Sequence, residues 1–144
     1  SLSLSDPFCV ERHREAFQDL IANHINMLFC NEHELLSMYG GKSLNEAIEV
    51  GAQYVDILVC TAGAEGAYIA SGGETIHVSA NPVNVVDATG AGDLFAAGFL
   101  AGLSQNKDLE VCGKMGCVAA AEVISSMGAR PKNNLQDLFD INKL

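Results

Sequence analysis

Asp87-Ala88-Thr89-Gly90-Ala91-Gly92-Asp93 runs without a break into the small, apolar series Leu94-Phe95-Ala96-Ala97-Gly98-Phe99-Leu100-Ala101-Gly102. Glycines here lead directly into a helix. Three small residues, Gly90, Ala91 and Gly92, let backbone amides converge at a helix N-terminus, where unsatisfied N–H groups and the positive end of the helix dipole attract an anion. Asp93 falls in the first helical turn. A carboxylate there has two jobs open to it: capping the helix, or accepting a proton from a hydroxyl that attacks a phosphoryl group. Farther along, the small side chains of Ala97, Gly98, Ala101 and Gly102 would let the helix pack closely on a sheet.

Upstream, the hydrophobic pattern alternates between strand and helix. Leu2-Ser3-Leu4-Ser5 alternates and is stopped by Asp6-Pro7; the chain begins at Ser1 inside this strand, as a fragment would. An amphipathic helix is expected from about Val10 to Asn23, with Phe17, Leu20, Ile21 and His24 on one face. The apolar runs 25–30 and 55–60 have the continuous hydrophobicity of strands buried on both faces. Between them, a short helix over 32–39 stops at Gly40-Gly41, and Ser43 caps another that runs to about Gln53. Strand, helix, strand, helices, strand calls for a parallel sheet with right-handed crossovers. Residues 67–70 and 75–79, joined by Ser71-Gly72-Gly73-Glu74, then read as a hairpin. Helices of roughly 90–104 and 108–126 follow, the second capped by Asp108 and ended at Gly128, with one more short helix at 135–139.

The 144 residues suffice for one compact unit with a real core. Eighteen acidic against eight basic residues give a formal charge of -10, with no Lys/Arg cluster, so nucleic-acid binding through a basic face is not expected. An acidic protein can still hold an anion through a helix N-terminus or a bound cation. The five cysteines form no Cys-x-x-Cys pair and read as buried free thiols of a reducing compartment. No apolar run approaches the ~20 residues of a membrane span, and a cytoplasmic location is expected. His13, His24, His33 and His77 show no metal-ligand spacing.

Two familiar glycine motifs fail. The third glycine of a dinucleotide-binding Gly-x-Gly-x-x-Gly is replaced by Phe95, and no Gly-Lys-Ser/Thr triplet of a P-loop is present. Asp87 to Asp93 instead resembles the Asp-Thr-x-Gly-Ala-Gly-Asp signature of the ribokinase (PfkB) family of sugar and nucleoside kinases, with Ala88 in place of the usual Thr. Two further stretches match in the family's order: Asn31-Glu32-His33-Glu34 resembles its Asn-x-x-Glu motif, and Thr61-Ala62-Gly63-Ala64-Glu65-Gly66 its Thr-x-Gly-x-x-Gly loop before a hairpin. Each follows a predicted strand.

The resemblance implies a three-layer α/β fold of the ribokinase-like type: a mainly parallel sheet with a β-hairpin and helices on both faces. Residues 1–144 would be its carboxyl-terminal, ATP-binding half, without the amino-terminal acceptor-binding half and lid. By the same resemblance, Asp93 is the general base for an acceptor hydroxyl, and Gly90, Ala91 and Gly92 form the anion hole for the transferred phosphoryl. Asn31 and Glu34 belong to the network around Mg²⁺, Glu34 through water. Thr61, Gly63 and Gly66 line the ATP phosphates. Asp87 orients the loop and marks a monovalent-cation site, which Ala88 deprives of a hydroxyl. The adenosine-kinase-like branch is favoured by Leu4-Ser5-Asp6-Pro7-Phe8 together with Asn31-Glu32-x-Glu34. The implied activity is transfer of the ATP γ-phosphoryl to an alcohol of a sugar or nucleoside, slight in this chain alone, and a homodimer through an exposed sheet edge is expected. The alternatives are a non-catalytic nucleotide-binding or structural fragment that keeps the fold, and a phosphomethylpyrimidine-type kinase of similar architecture.

Overall fold

The computed structural model describes residues 1–144, which fall into two compact units: Ser1–Ala62 with Tyr68–Ile76, and Gly63–Ala67 with His77–Leu144. The first holds β1 (Leu2–Ser3), α1 (Pro7–Arg12), α2 (Arg14–His24), β2 (Met27–Asn31), α3 (Glu32–Tyr39), α4 (Leu44–Gly51) and β3 (Ile57–Thr61), with most of β4 (Ala67–Ser71) and β5 (Glu74–Val78). The sheet order is β1-β2-β3-β4-β5. β1 is parallel to β2, with Leu2 opposite Leu28, and β2 is parallel to β3 from Met27 opposite Ile57 to Asn31 opposite Thr61. The two-residue turn Gly72-Gly73, with both φ angles positive, closes the β4–β5 hairpin. This is the expected α/β sheet with two crossovers and a hairpin.

Three successive residues are buried in each central strand, Leu28-Phe29-Cys30 and Leu58-Val59-Cys60, which is why both runs are apolar without alternation. Leu28, Cys30, Leu58 and Cys60 join Leu4, Val10, Ile21, Leu35, Met38 and Ile48 in one core, while Phe29 and Val59, also buried, lie outside that cluster. Cys30, Cys60, Cys112 and Cys117 are buried free thiols. No helix is long and apolar enough to cross a membrane.

The expected helix from Val10 to Asn23 is two helices. Asp6 is an N-cap, not a strand stop: its carboxylate accepts the Phe8 N–H at 3.0 Å, and Pro7 occupies the first helical position, where a missing N–H costs nothing. α1 therefore begins earlier than expected, and the chain breaks at His13, whose φ of -124° and ψ of 27° lie outside the helical region. Ile21 is buried as expected and Phe17 packs on the same core, whereas Leu20 remains partly exposed.

In the second unit, α5 (Ala91–Ser104), α6 (Leu109–Ile124) and α7 (Leu135–Ile141) follow a single 3₁₀ turn at Gly63–Glu65. Gly98 and Gly102 of α5 serve a helix partner, α6, whereas Ala97 is exposed. A Cβ at Gly98 would lie 2.5 Å from the Met115 carbonyl oxygen, one at Gly102 would lie 3.0 Å from Cys112 Sγ, and, reciprocally, one at Gly116 would meet the Phe95 ring at 2.9 Å. The two helices approach so closely that no side chain fits at these three positions. Met115, Val118, Ala119 and Phe139 complete a cluster between α6 and α7. α6 ends at Ile124, four residues before the expected Gly128, and Asp108 stands at its N-cap position without a side-chain cap bond.

Candidate phosphoryl-transfer site

In the first unit, the parallel register carries β2 and β3 to a common end, with Asn31 directly beside Thr61. The carboxyl end of parallel strands is where open α/β sheets bind ligands. Asn31 terminates its strand and caps α3 in a reciprocal capping box. Its Oδ1 accepts the Glu34 N–H at 2.9 Å, while Glu34 Oε2 accepts the Asn31 N–H at 2.9 Å and Oε1 accepts Asn31 Nδ2–H at 2.8 Å. Thr61 Oγ1 donates to the Cys30 carbonyl at 3.4 Å.

Glu34 is only 5% exposed. Burial pushes its carboxyl above the ordinary value of 4.5, the bond from Asn31 opposes this, and the negative charge of Asp6 adds to the rise. With both oxygens committed to Asn31, Glu34 first serves to orient that side chain. No group of three acidic, His or Cys side chains assembles a metal cage. The Asn31 and Glu34 side chains have the oxygen donors that suit a hydrated Mg²⁺, a cation that ordinarily keeps several of its waters.

A raised carboxyl pKa also fixes the sign of a pH effect. The folded chain holds the Glu34 proton more tightly than the unfolded chain, so this contribution to stability is complete below pH 4.5 and is lost as pH rises through the folded value. Denaturant unfolding from pH 4.5 upward should show a declining component in the parent that Glu34→Gln lacks. A component that grows with pH would mean that the Asn31 bonds outweigh burial.

In the second unit, the start of α5 is set by Gly90, the N-cap, with φ +83° and ψ 2°. Only glycine takes this conformation readily, and a Cβ there would also lie 3.0 Å from that of Ala129. The Ala91 N–H turns back to the Ala88 carbonyl at 3.2 Å, and the Leu94 N–H closes the first helical bond on Gly90 at 2.9 Å. Gly92 and Asp93 therefore carry the first-turn amides without a helical partner. A Cβ at Gly92 would meet nothing within 4 Å, so the space beside its amide is open.

Asp93 is the third residue of α5 and is exposed. Gly90 offers no side chain with which to form a capping box, and no hydrogen bond or ion pair engages the Asp93 carboxylate. Of the two jobs open to this residue, capping is not the one its geometry performs.

Asp87 is fully engaged. Its Oδ1 accepts the Thr89 N–H at 2.9 Å and its Oδ2 accepts the Gly128 N–H at 2.9 Å. With the Thr89 side chain as the leading cause, these bonds lower its carboxyl to about 2. The preceding backbone is tied to α6, since the Val86 and Asp87 N–H groups both reach the Ile124 carbonyl, at 2.8 and 3.3 Å.

The two glycines of the 61–66 loop separate in kind. Gly63, φ +53°, has nothing within 4 Å of a Cβ, whereas a Cβ at Gly66, φ +105°, would coincide with the Val78 carbonyl oxygen and lie 2.6 Å from Ala80 N. Gly66 is thus demanded by a crossing of the chain over itself, and only Gly63 leaves its backbone open to a ligand. His77 Nε2 lies 2.8 Å from the Glu65 carbonyl and braces the same turn.

Sequence reasoning passed over Asp6, because Asp-Pro was read as punctuation; the Asp-Pro pair itself is the N-cap signal that would have found it. It also passed over Glu122, for which the sequence carries no signal: an isolated helical Glu whose partners lie ten residues away.

Comparison with known proteins identifies the family. Residues 2–136 match the pfkB family carbohydrate kinases. A crystal structure of a probable sugar kinase from Rhizobium etli superposes with a TM-score of 0.95 at 42% identity, over 98% of this chain and 43% of that one. The adenosine kinase of Sinorhizobium meliloti gives 0.94 at 37% identity, over 97% of this chain and 43% of that one. An uncharacterized sugar kinase from Archaeoglobus fulgidus is 38% identical over 106 residues, 74% of this chain and 38% of that protein. The chain spans about two-fifths of the length of the curated relatives it matches. With a family match over residues 2–136 and solved structures alike over nearly the whole chain, the chain belongs to the pfkB family of carbohydrate kinases.

Proposed function

We propose that this chain supplies the nucleotide-binding and proton-accepting part of a sugar or nucleoside kinase that transfers the γ-phosphoryl of ATP to an alcohol. One observation carries the reading: an exposed, unpaired Asp93 stands beside the open amides of the α5 N-terminus. An oxyanion placed against those amides meets preorganised donors and the positive end of the helix dipole. A carboxylate that is not spent on capping is free to take the proton of an attacking hydroxyl.

The remaining residues have supporting tasks. Asp87 and Gly90 hold the loop in the shape that aims the amides. The open backbone at Gly63 and the strand-end Thr61 contact the nucleotide phosphates. Mg²⁺, when bound, would neutralise phosphate charge, and Asn31 and Glu34 would hold its waters. The likeness to an adenosine kinase favours a nucleoside as the acceptor.

Calorimetric titration of the chain with ATP, with and without Mg²⁺, tests the reading. Binding that strengthens with Mg²⁺ is the expected result. No heat at millimolar ATP would leave an inert fragment that merely keeps the fold.

A further inference from the structure

The loop from Ser125 to Asn134, between α6 and α7, touches the signature stretch at two points. The Gly128 N–H donates to Asp87 Oδ2 at 2.9 Å, and Ala129 Cβ lies 3.0 Å from where a Cβ on Gly90 would be. The far end of the same loop is fastened by a single oxygen. Glu122 Oε1 accepts the Lys132 N–H at 3.1 Å, the Asn133 N–H at 2.9 Å and Asn133 Nδ2–H at 3.0 Å. Three charge-assisted bonds on one carboxylate oxygen are a strong local tie. Pro131, inside the loop, fixes its own φ and shortens the slack between the two ends. Glu122 also sits one residue before Val123 and two before Ile124, whose carbonyl holds the Val86 and Asp87 amides.

We propose that Glu122 is a positioning residue for the anion-binding turn: by anchoring Lys132 and Asn133 it holds Gly128 and Ala129 against Asp87 and Gly90, and so keeps the Gly92 and Asp93 amides aimed. Glu122 touches neither nucleotide nor acceptor, and its effect is transmitted through the loop. The inference rests on the reading of that turn as the ATP phosphate site. It adds a residue outside all three sequence motifs and makes the α6–α7 loop a part of the site's rigidity.

The test uses the whole chain, with Glu122→Ala, Glu122→Gln and, as a control on the same helix, Glu110→Ala, which removes only the exposed pair with Lys114. Amide hydrogen exchange and ATP titration are read together. Losing the charged anchor should speed exchange at Gly128 and Thr89 about tenfold and weaken ATP binding by a similar factor. Amides in the middle of α5 should keep their protection. Glu122→Gln, whose side-chain carbonyl still accepts, should recover most of both effects, and Glu110→Ala should change neither.

A merely structural Glu122 would speed exchange throughout the second unit or only at Lys132 and Asn133; either pattern overturns the proposal. So does faster exchange at Gly128 and Thr89 with ATP affinity unchanged. Should Glu122→Ala fail to fold, Asn133→Ala removes one of the three bonds and must reproduce the same pattern at about twofold. If the parent binds no ATP, the reading of the turn as a phosphate site fails, while exchange at Thr89, which Glu122 does not contact, still decides whether the anchor reaches the signature loop.

Discussion

An Asp93→Asn variant should transfer phosphate about 10²–10⁴-fold more slowly than its parent if Asp93 is the proposed proton acceptor, while binding ATP at least as well. Asparagine keeps the shape of the side chain and cannot take a proton. The carboxylate makes no hydrogen bond that the change would break, so the fold should be indifferent apart from the favourable interaction of a negative charge with the helix N-terminus, about 0.3–1 kcal/mol. Removing that charge also removes its repulsion of the phosphates, which is why affinity should hold or rise. Steady-state kcat and calorimetric ATP affinity, measured on the same preparation, separate the two effects. A variant that turns over at the parental rate would exclude Asp93 as the proton acceptor, and one that loses ATP affinity with kcat intact would make it a binding residue.

The largest structural effect is expected at Gly66. Any side chain there collides with the Val78 carbonyl and the Ala80 amide nitrogen, both backbone atoms that cannot swing aside, in a φ region that disfavours L-residues. Overpacking and backbone strain together put the loss for Gly66→Ala at about 3 kcal/mol or more, roughly 10 °C in Tm for a chain of this size. Gly63→Ala is the matched comparison. It has the same positive φ sign but open space around the new methyl, and should cost about 1–2 kcal/mol. Thermal melts of the two variants decide the matter. Equal, small losses would show that the chain crossing at 78–80 yields easily and that both glycines answer to a ligand.

Much of this molecule is legible one segment at a time. The apolar runs at β2 and β3, the Asn31 cap, the Gly72-Gly73 turn and the glycine that opens α5 each depend on neighbours within a few residues. Capping, turn chemistry and burial periodicity act at that range. The misread helix after β1 failed at the same range: Asp6-Pro7 has two local meanings, strand stop and helix start, and the second prevailed.

Other features depend on residues that meet across long stretches of chain, and no local pattern announces them. Gly98 and Gly102 of α5 face α6 because Met115 and Cys112 lie opposite them, and nothing in their spacing distinguishes a helix from a sheet as the partner. Gly66 is required by Val78 and Ala80, and Glu122 finds its partners in the loop beyond Gly128. Even at the signature the division holds. The composition of residues 87–93 is enough to identify a helix start, since a small-residue turn is a local property. Which amides are open, that Asp93 is unpaired, and that Asp87 is engaged by Gly128 follow from contacts that exist only once the chain has folded, because a hydrogen bond spanning 41 residues has no signature within either partner's own segment.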